Sequence, residues 1–466
     1  MRASDSDHSP KHRPFDFMVP FWGDRYREYF VDLALPSLLA PNNLALLREE
    51  EGHRLLIATT NEDWTTMRGL PIMQRVRQHA TPVWIQITRP PAETPEGSPQ
   101  YELTIRHQHR CLRKLFEAAY ERRAYGVQLY PDVIYSDGMV ASVIRRASAG
   151  QHAVIGAALR QVEEDVLDRL RAKGYLKAGV SLSLTASSIS IPQREMAELT
   201  ILCLHPEMDR FDHGHPVQPF PSPFHYWRIP GGQGIILHTF FAPMLPLIDF
   251  AVVPPNHADS LEIDMAMDYV SNNFTHRDRI GIVQDSDEWV CISLTPRAVN
   301  WAPRTQTRLR ATALMTRLGW LASMRQSMQA FASTNAEGDL IRRDLFRTPI
   351  RWHSGDLDEA WADEEQRILR LIRQAVGDYY VSEPWPYRDK LLAILTTDFL
   401  FSLPSIRRRL LRSMQGNVRH LRELHRRLWL AISGNDAARR WIAWRINVLW
   451  RKLRGHTAHP PRPEVP

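Results

Sequence analysis

Cysteine is scarce in this chain: Cys111, Cys203 and Cys291 are the only three in 466 residues, and no two of them stand in a CxxC spacing. That excludes a disulfide framework and a cysteine-built zinc site, and leaves three isolated thiols expected to be buried. No secretory leader is expected either, because the first fourteen residues, MRASDSDHSPKHRP, contain no apolar core. The expected compartment is the cytoplasm. Long hydrophobic runs are few. Residues 234–255, GIILHTFFAPMLPLIDFAVVPP, raise the question of a membrane span. His238, Asp249 and the internal prolines make a strand and a buried loop the better reading. No repeat at solenoid periods is present, so a repeat architecture is excluded.

What is there reads as a folded protein. Apolar residues make up 44% and charged residues 24% of the chain, proportions that allow a substantial interior. A length of 466 residues exceeds one ordinary core, so two domains, or one large domain with an extension, are expected. The net charge of +7 is unevenly placed. From residue 401 onward 15 Lys/Arg stand against 3 Asp/Glu, a balance of +12 that leaves −5 for residues 1–400. The basic character belongs to the C-terminal region, whose expected partners are anionic surfaces. No recognised nucleic-acid fold accompanies those arginines, and nucleic acid is not expected as a partner.

From Phe17 to about Pro296 short apolar runs alternate with helical periodicity, the pattern of an α/β domain. Strands are expected at FMVPFW, RLLIATT, VWIQI, YGVQLY, HAVIGAAL, GIILHTF and IGIVQ. A helix is expected over Thr104 to Tyr120, where Ile105, Gln108, Leu112, Leu115, Phe116 and Ala119 share one face. Another is expected from Pro192, with Glu195 in its first turn. RPPAETPEGSPQY reads as a Pro-rich surface loop. After Pro296 the strand signals nearly vanish. The expected organisation is a disordered tail at 1–16, an α/β domain at 17–300, a helical extension at 301–455 and a disordered tail at 456–466.

Candidate sites lie at the ends of the apolar runs. YGVQLYPDVIYSDG, residues 125–138, stops at Asp132. A carboxylate at the carboxyl end of a strand stands in the crevice where α/β proteins bind ligands. Ser136 or Asp137 is expected to cap a helix beginning near Met139. The bland reading is a strand, a turn and a capped helix. IGIVQDSDEW places Asp285 and Asp287 after another strand. Two carboxylates one residue apart suit Mg²⁺ or Mn²⁺, which prefer hard oxygen ligands, or serve acid and base roles, or simply cap the sheet. His238, flanked by apolar residues, is either a satisfied core histidine or a ligand.

The order FMVPFWGDRYREYF, then HRLLIATTNEDW, the Arg-containing helix, LYPDVIYSDG and HAVIGAALR resembles the nucleotide-sugar-binding half of GT-A fold glycosyltransferases over roughly residues 17–296. It is similar in particular to uncharacterised bacterial glycosyltransferase-like proteins. The resemblance implies a GT-A-like (Rossmann-like) domain followed by a basic, mainly helical extension. It further implies transfer of a sugar from a nucleotide-diphosphate donor to a hydroxyl acceptor with the help of a divalent cation, Mn²⁺ or Mg²⁺. In that family an Asp-x-Asp motif holds the cation. Here Tyr130-Pro131-Asp132 stands in its place, so the first carboxylate is missing. The resemblance implies donor contacts at Pro20, Trp22, Gly23, Asp132 and Asp137, and metal ligation by Asp132 with His238. Trp22 would stack on the base, or else cover the edge of the core. Asp264, four residues before Asp268 in LEIDMAMDY, is the expected general base beside the acceptor hydroxyl, with surface solvation as the alternative.

The final stretch, ARRWIAWRINVLWRKLRG at 438–455, has the composition of an interfacial helix. Its tryptophans border an apolar stripe and its basic residues suit the inner face of an anionic membrane; packing on the domain is the other reading. A function from another class is also open. A scaffold that keeps the fold without the donor chemistry would bind a membrane or an acidic partner through its C-terminal helices.

Overall fold

Six consecutive residues, Phe15–Pro20, form strand β1, and every one of them is buried. A strand hidden on both faces belongs inside a sheet covered on both sides. The computed structural model of the chain describes residues 13–90, 100–213, 224–232, 234–240, 243–260, 265–299 and 336–376, all within one compact unit. Its main sheet has seven strands in the order β11-β6-β10-β4-β1-β2-β3. They are β2 (Arg54–Thr59), β3 (Thr81–Gln86), β4 (Tyr125–Gln128), β6 (Ala153–Gly156), β10 (Met244–Asp249) and β11 (Ile280–Ile282) around β1. β10 alone runs antiparallel, and its neighbours β4 and β6 continue the direction of β1. The strand cores read as unbroken apolar runs for that reason. Asp16, the buried exception in β1, is satisfied by Arg54 at 2.5 and 3.0 Å and by Arg122 at 3.2 Å.

Helices cover both faces. Those that bear on the site are α1 (Asp24–Tyr29), α2 (Gln100–Glu121), α3 (Met139–Ser148), α4 (Glu163–Ala172), α5 (Gln193–Leu202), α6 (Met265–Asn273), α7 (Ala336–Arg347) and α8 (Glu359–Val376). Leu112, Leu115, Phe116 and Ala119 of α2 join Met18 and Leu56 in one apolar cluster, as their spacing predicts. Met139, Val140 and Val143 of α3 join Phe17, Val19, Leu55 and Ile57 in the other. Alternate residues of one strand thus feed opposite layers.

Two smaller sheets complete the unit. β5 (Val133–Tyr135), β12 (Cys291–Thr295) and β7 (Arg160–Val162) form a sheet in the order β5-β12-β7. Each continues the chain just beyond the carboxyl end of β4, β11 and β6 respectively. β8 (Phe224–Arg228), β9 (Gly234–Thr239) and β13 (Ile350–His353) form the third, with β9 in the middle.

All seven expected strands are present, and β9 and β10 occupy the run that had raised a membrane question. Among the described residues no helix is long and apolar enough to cross a membrane. The three cysteines are buried. The boundary near residue 300 needs correction for 336–376. β13 pairs with β9, and α7, β13 and α8 belong to the same unit as the α/β core. The cap of α3 is corrected as well. Gly138, at φ +109, is its N-cap and no side chain caps it. The expected disordered tail at 1–16 needs correction at its end, since Phe15 and Asp16 open β1 and Arg13 pairs with Asp249. Residues 1–12, 301–335 and everything from 377 on, the basic stretch 438–455 included, lie outside the described residues.

The joint between β9 and the later segment is tight at Gly234. A Cβ there would lie 2.3 Å from the Trp361 ring and 2.7 Å from the Trp352 carbonyl. Gly234→Ala is expected to cost about 1–3 kcal/mol through overpacking, read as a lowered Tm with altered tryptophan fluorescence. An unchanged Tm would contradict this packing.

Candidate active site at the carboxyl edge of the sheet

β1 has β2 and then β3 on one side and β4 on the other, so the strand order reverses beside β1. The chains leaving β1 and β4 part in opposite directions and open a crevice at their carboxyl ends. Pro20 ends β1, and the half-buried Trp22 packs edge-on against His107 of α2, with ring centroids 4.7 Å apart. Gly23 follows at φ +88, a conformation natural to glycine, and leads directly into α1. Its N–H donates to Asp63 at 2.9 Å. Fully buried Asp63 also accepts from Thr60 at 2.7 Å and Arg27 at 3.0 Å, so one carboxylate fixes the whole turn.

On the other side of the crevice β4 passes through Tyr130 and Pro131 to Asp132. The Asp132 carboxylate accepts from Arg160 of β7 at 2.8 Å, and the same guanidinium nitrogen donates to Ser293 of β12 at 2.7 Å. The Asp132 carbonyl accepts the Leu294 N–H, which ties this residue to the second sheet. Arg25 of α1 reaches Glu163, the first residue of α4, at 2.5 Å, and donates to Tyr29 at 2.7 Å.

A second cluster stands at the same edge of the main sheet, beyond β11. Gln284 and Ser286 exchange backbone hydrogen bonds with Arg351 of β13, at 2.7 and 2.8 Å, which sets Asp285 beside that strand. His353, at the end of β13, brings Nε2 to 2.9 Å from Asp285 Oδ1 and 4.0 Å from Asp287 Oδ2. Its Nδ1–H donates to the Gly355 carbonyl at 2.6 Å, which leaves Nε2 turned toward the two carboxylates. Arg194 of α5 holds Asp287 by two bonds of 3.1 Å and Asp356 by one of 2.6 Å. An open cleft of about 280 Å³ along β11, lined in part by Arg146, Gly281 and Glu288, reaches Asp285.

The electrostatics of this cluster favour a positive charge at its centre. Burial works against the Asp285 charge, but hydrogen bonds from His353 and the Asp287 amide outweigh it and hold the carboxyl below its ordinary value. Burial also pulls the His353 imidazole down, and its bonds to Asp285 and Gly355 carry it above its ordinary value. A proton or a metal ion can supply that charge. The ligand atoms of Asp285, Asp287 and His353 lie within 4.8 Å of one another. On an octahedral ion with bonds of about 2.1 Å, neighbouring ligands stand roughly 3 Å apart and opposed ones roughly 4.2 Å. Separations of 2.9 and 4.0 Å suit that pattern, and the group could hold one divalent cation.

Several expected site residues stand elsewhere. His238, expected to complete a metal sphere with Asp132, is fully buried in the third sheet, packed against Trp227 and Phe346. Its Nδ1 meets the Phe346 carbonyl at 2.7 Å, and burial pushes the ring down to about 4, so it is a neutral core residue. Asp137 is buried as well. It accepts from the Asn42 amide at 2.7 Å and from Ser190 at 2.7 Å, and staples two loops instead of facing the crevice. Asp132 and Asp285 leave strands separated by β10 and β6, roughly 14 Å apart at the usual strand spacing. Asp264 lies outside the described residues, and α6 begins at Met265. His353, Arg160 and Arg194 belong to these clusters without being among the expected site residues. The only local signal for His353 was a polar residue closing the short apolar run IRWH.

No family model matches the sequence, and no curated protein matches it. Matches to solved structures include two at low TM-score. Mouse xyloside xylosyltransferase 1 in its apo form is 11% identical, with a TM-score of 0.22, over 34% of this chain and 59% of that one. S. aureus TarS is 8% identical, with a TM-score of 0.27, over 80% of this chain and 56% of that one. The chain thus spans less than two thirds of either. Strand order and side-chain geometry carry the functional reading below.

Asp63 organises the turn at Gly23, so Asp63→Ala is expected to cost about 2 kcal/mol by leaving buried donors without an acceptor. Urea denaturation checks this; an unchanged midpoint would mean the turn stands without it.

Proposed function

We propose that the protein is a glycosyltransferase that moves a sugar from a nucleotide-diphosphate donor to a hydroxyl acceptor. The observation that carries this reading is the crevice at the reversal of strand order, flanked by Pro20, Trp22 and Gly23 from β1 and by Asp132 beyond β4. A nucleotide fits such a place because loops diverge there and backbone can approach it closely. Trp22 offers the base an apolar surface, and Gly23 leaves room beside it, with no atom within 4 Å of where a Cβ would stand. The Asp285, Asp287 and His353 group would hold Mn²⁺ or Mg²⁺ at the same edge, and its imidazole favours Mn²⁺ of the two. Two strands separate that group from Asp132, roughly 14 Å at the usual spacing, so its ion would act apart from a diphosphate held in the crevice. In this reading Asp285 and Asp287 are ligands, not acid and base, and Arg194 aims Asp287.

Titration calorimetry with UDP-, GDP- and CMP-sugars tests the donor assignment. At least one is expected to bind in the presence of Mn²⁺. Binding by none, with or without the ion, would sink it. For the ion, Asp287→Asn and His353→Ala are each expected to weaken Mn²⁺ binding by at least about tenfold. Asp287 is exposed, so its variant tests the ligand role with little risk to folding. Equal Mn²⁺ affinity in wild type and Asp287→Asn would remove that residue from the sphere.

A second reading has its own observation. Asp132 is already neutralised by Arg160, as suits a scaffold that retains the fold without donor chemistry. Slow release of nucleotide from a nucleotide sugar, abolished by Asp132→Ala in a folded protein, decides for the enzyme; no release by the wild type decides for the scaffold.

A further inference from the structure

The crevice beside β1 lacks the first carboxylate of a metal-binding pair, since Tyr130 stands there and its hydroxyl is engaged with the Pro243 carbonyl. Among the described residues, no cluster of metal-ligating side chains includes Asp132. A cation is present there nonetheless, in the guanidinium of Arg160. Among the described residues, only Nη1 of that group has hydrogen-bond partners, Asp132 at 2.8 Å and Ser293 at 2.7 Å. Nε and Nη2 retain their N–H donors on a side chain that is 44% exposed.

The pair neutralises a largely buried carboxylate, Asp132 being 13% exposed, but that role takes one nitrogen of a guanidinium whose side chain is 44% exposed. Its backbone is fixed by the parallel pairing of β7 with β12, where Arg160 stands opposite Ser293. Its head is aimed by two partners that use one nitrogen and leave the others free. Arg25, at the mouth of the crevice, is 54% exposed, and Nη1 there has no protein partner among the described residues. Burial raises the Tyr26 hydroxyl above its ordinary value, Asp132 adds to that, and Arg160 and Arg25 oppose it, so both guanidiniums act on the same neighbourhood. Each guanidinium thus keeps part of its fork unused among the described residues. A guanidinium matches two phosphate oxygens at once, whereas water competes for a single point charge.

Resting on the donor reading above, we propose that Arg160 binds the diphosphate of a nucleoside diphosphate in the crevice, so that this step needs no divalent ion there. Asp132 positions the guanidinium and is not a metal ligand. The Asp285, Asp287 and His353 group is then a separate centre, whose ion is not required for nucleotide to bind.

The test is calorimetry of the full chain with UDP, GDP, CDP and inorganic pyrophosphate, in EDTA and again in Mn²⁺. At least one nucleoside diphosphate is expected to bind in EDTA and to be displaced by pyrophosphate. Arg160→Ala is expected to weaken it by roughly 10- to 100-fold in protein that remains folded at the assay temperature, and Arg160→Lys, which keeps the charge beside Asp132 and loses the fork, to fall between. Should the alanine variant misfold, Arg160→Gln and Arg160→Lys carry the comparison. Binding that disappears in EDTA and returns with Mn²⁺ would overturn the proposal while the donor reading stands. So would equal affinity in wild type and folded Arg160→Ala. If no nucleotide binds in either buffer, the donor reading fails, and this proposal with it.

Discussion

Parallel pairing of β1 with β2 on one side and β4 on the other is the constraint on which the rest of the molecule depends. Register brings Phe17 level with Leu55 and with Val127, and Met18 level with Leu56 and with Gln128. All three strands therefore end at the same edge. Parallel neighbours need crossovers, and crossovers on both faces leave the strands with no exposed side. The crevice at the carboxyl edge is a consequence of that order. Nothing in the loops has to create it.

Carboxylates gather at that edge, and the chain neutralises each in its own way. Arg160 meets Asp132, Arg194 meets Asp287, and Arg146 meets Glu288 by bonds of 2.5 and 2.6 Å. Asp285 is the different one. Its partner is a histidine, which can lose its proton and, as a neutral imidazole, join Asp285 on an ion, as an arginine cannot. The distinction separates carboxylates held in fixed pairs from the one group at this edge with the chemistry to exchange occupants.

The second sheet ties the two clusters to one frame. β12 begins a few residues after Asp287 and ends between β5, which follows Asp132, and β7, which starts with Arg160. The third sheet does the same for His353 through β13. These strands are three to five residues long, too short for alternation to be told from a turn, which is why periodicity passed over β5, β7, β12 and β13. The helix α2 was legible because it is 22 residues long and shows one apolar face.

By itself the sequence determined six of the seven strands of the main sheet and β9 of the third, though it read β10 as a buried loop. It also determined the α/β class, the buried thiols and the carboxylates that end apolar runs, because all of these depend on local pattern and on which side chains avoid water. It could not decide which of those end-of-strand groups meet. His353 lies 68 residues from Asp285, and Arg160 lies 28 from Asp132; strand order and register join them, and neither has a local signature. Nor could it separate His238 from a ligand, since an apolar strand looks the same whether its histidine faces a core or a site. Packing decided that one, by enclosing the ring against Phe346 and placing Nδ1 on a backbone carbonyl.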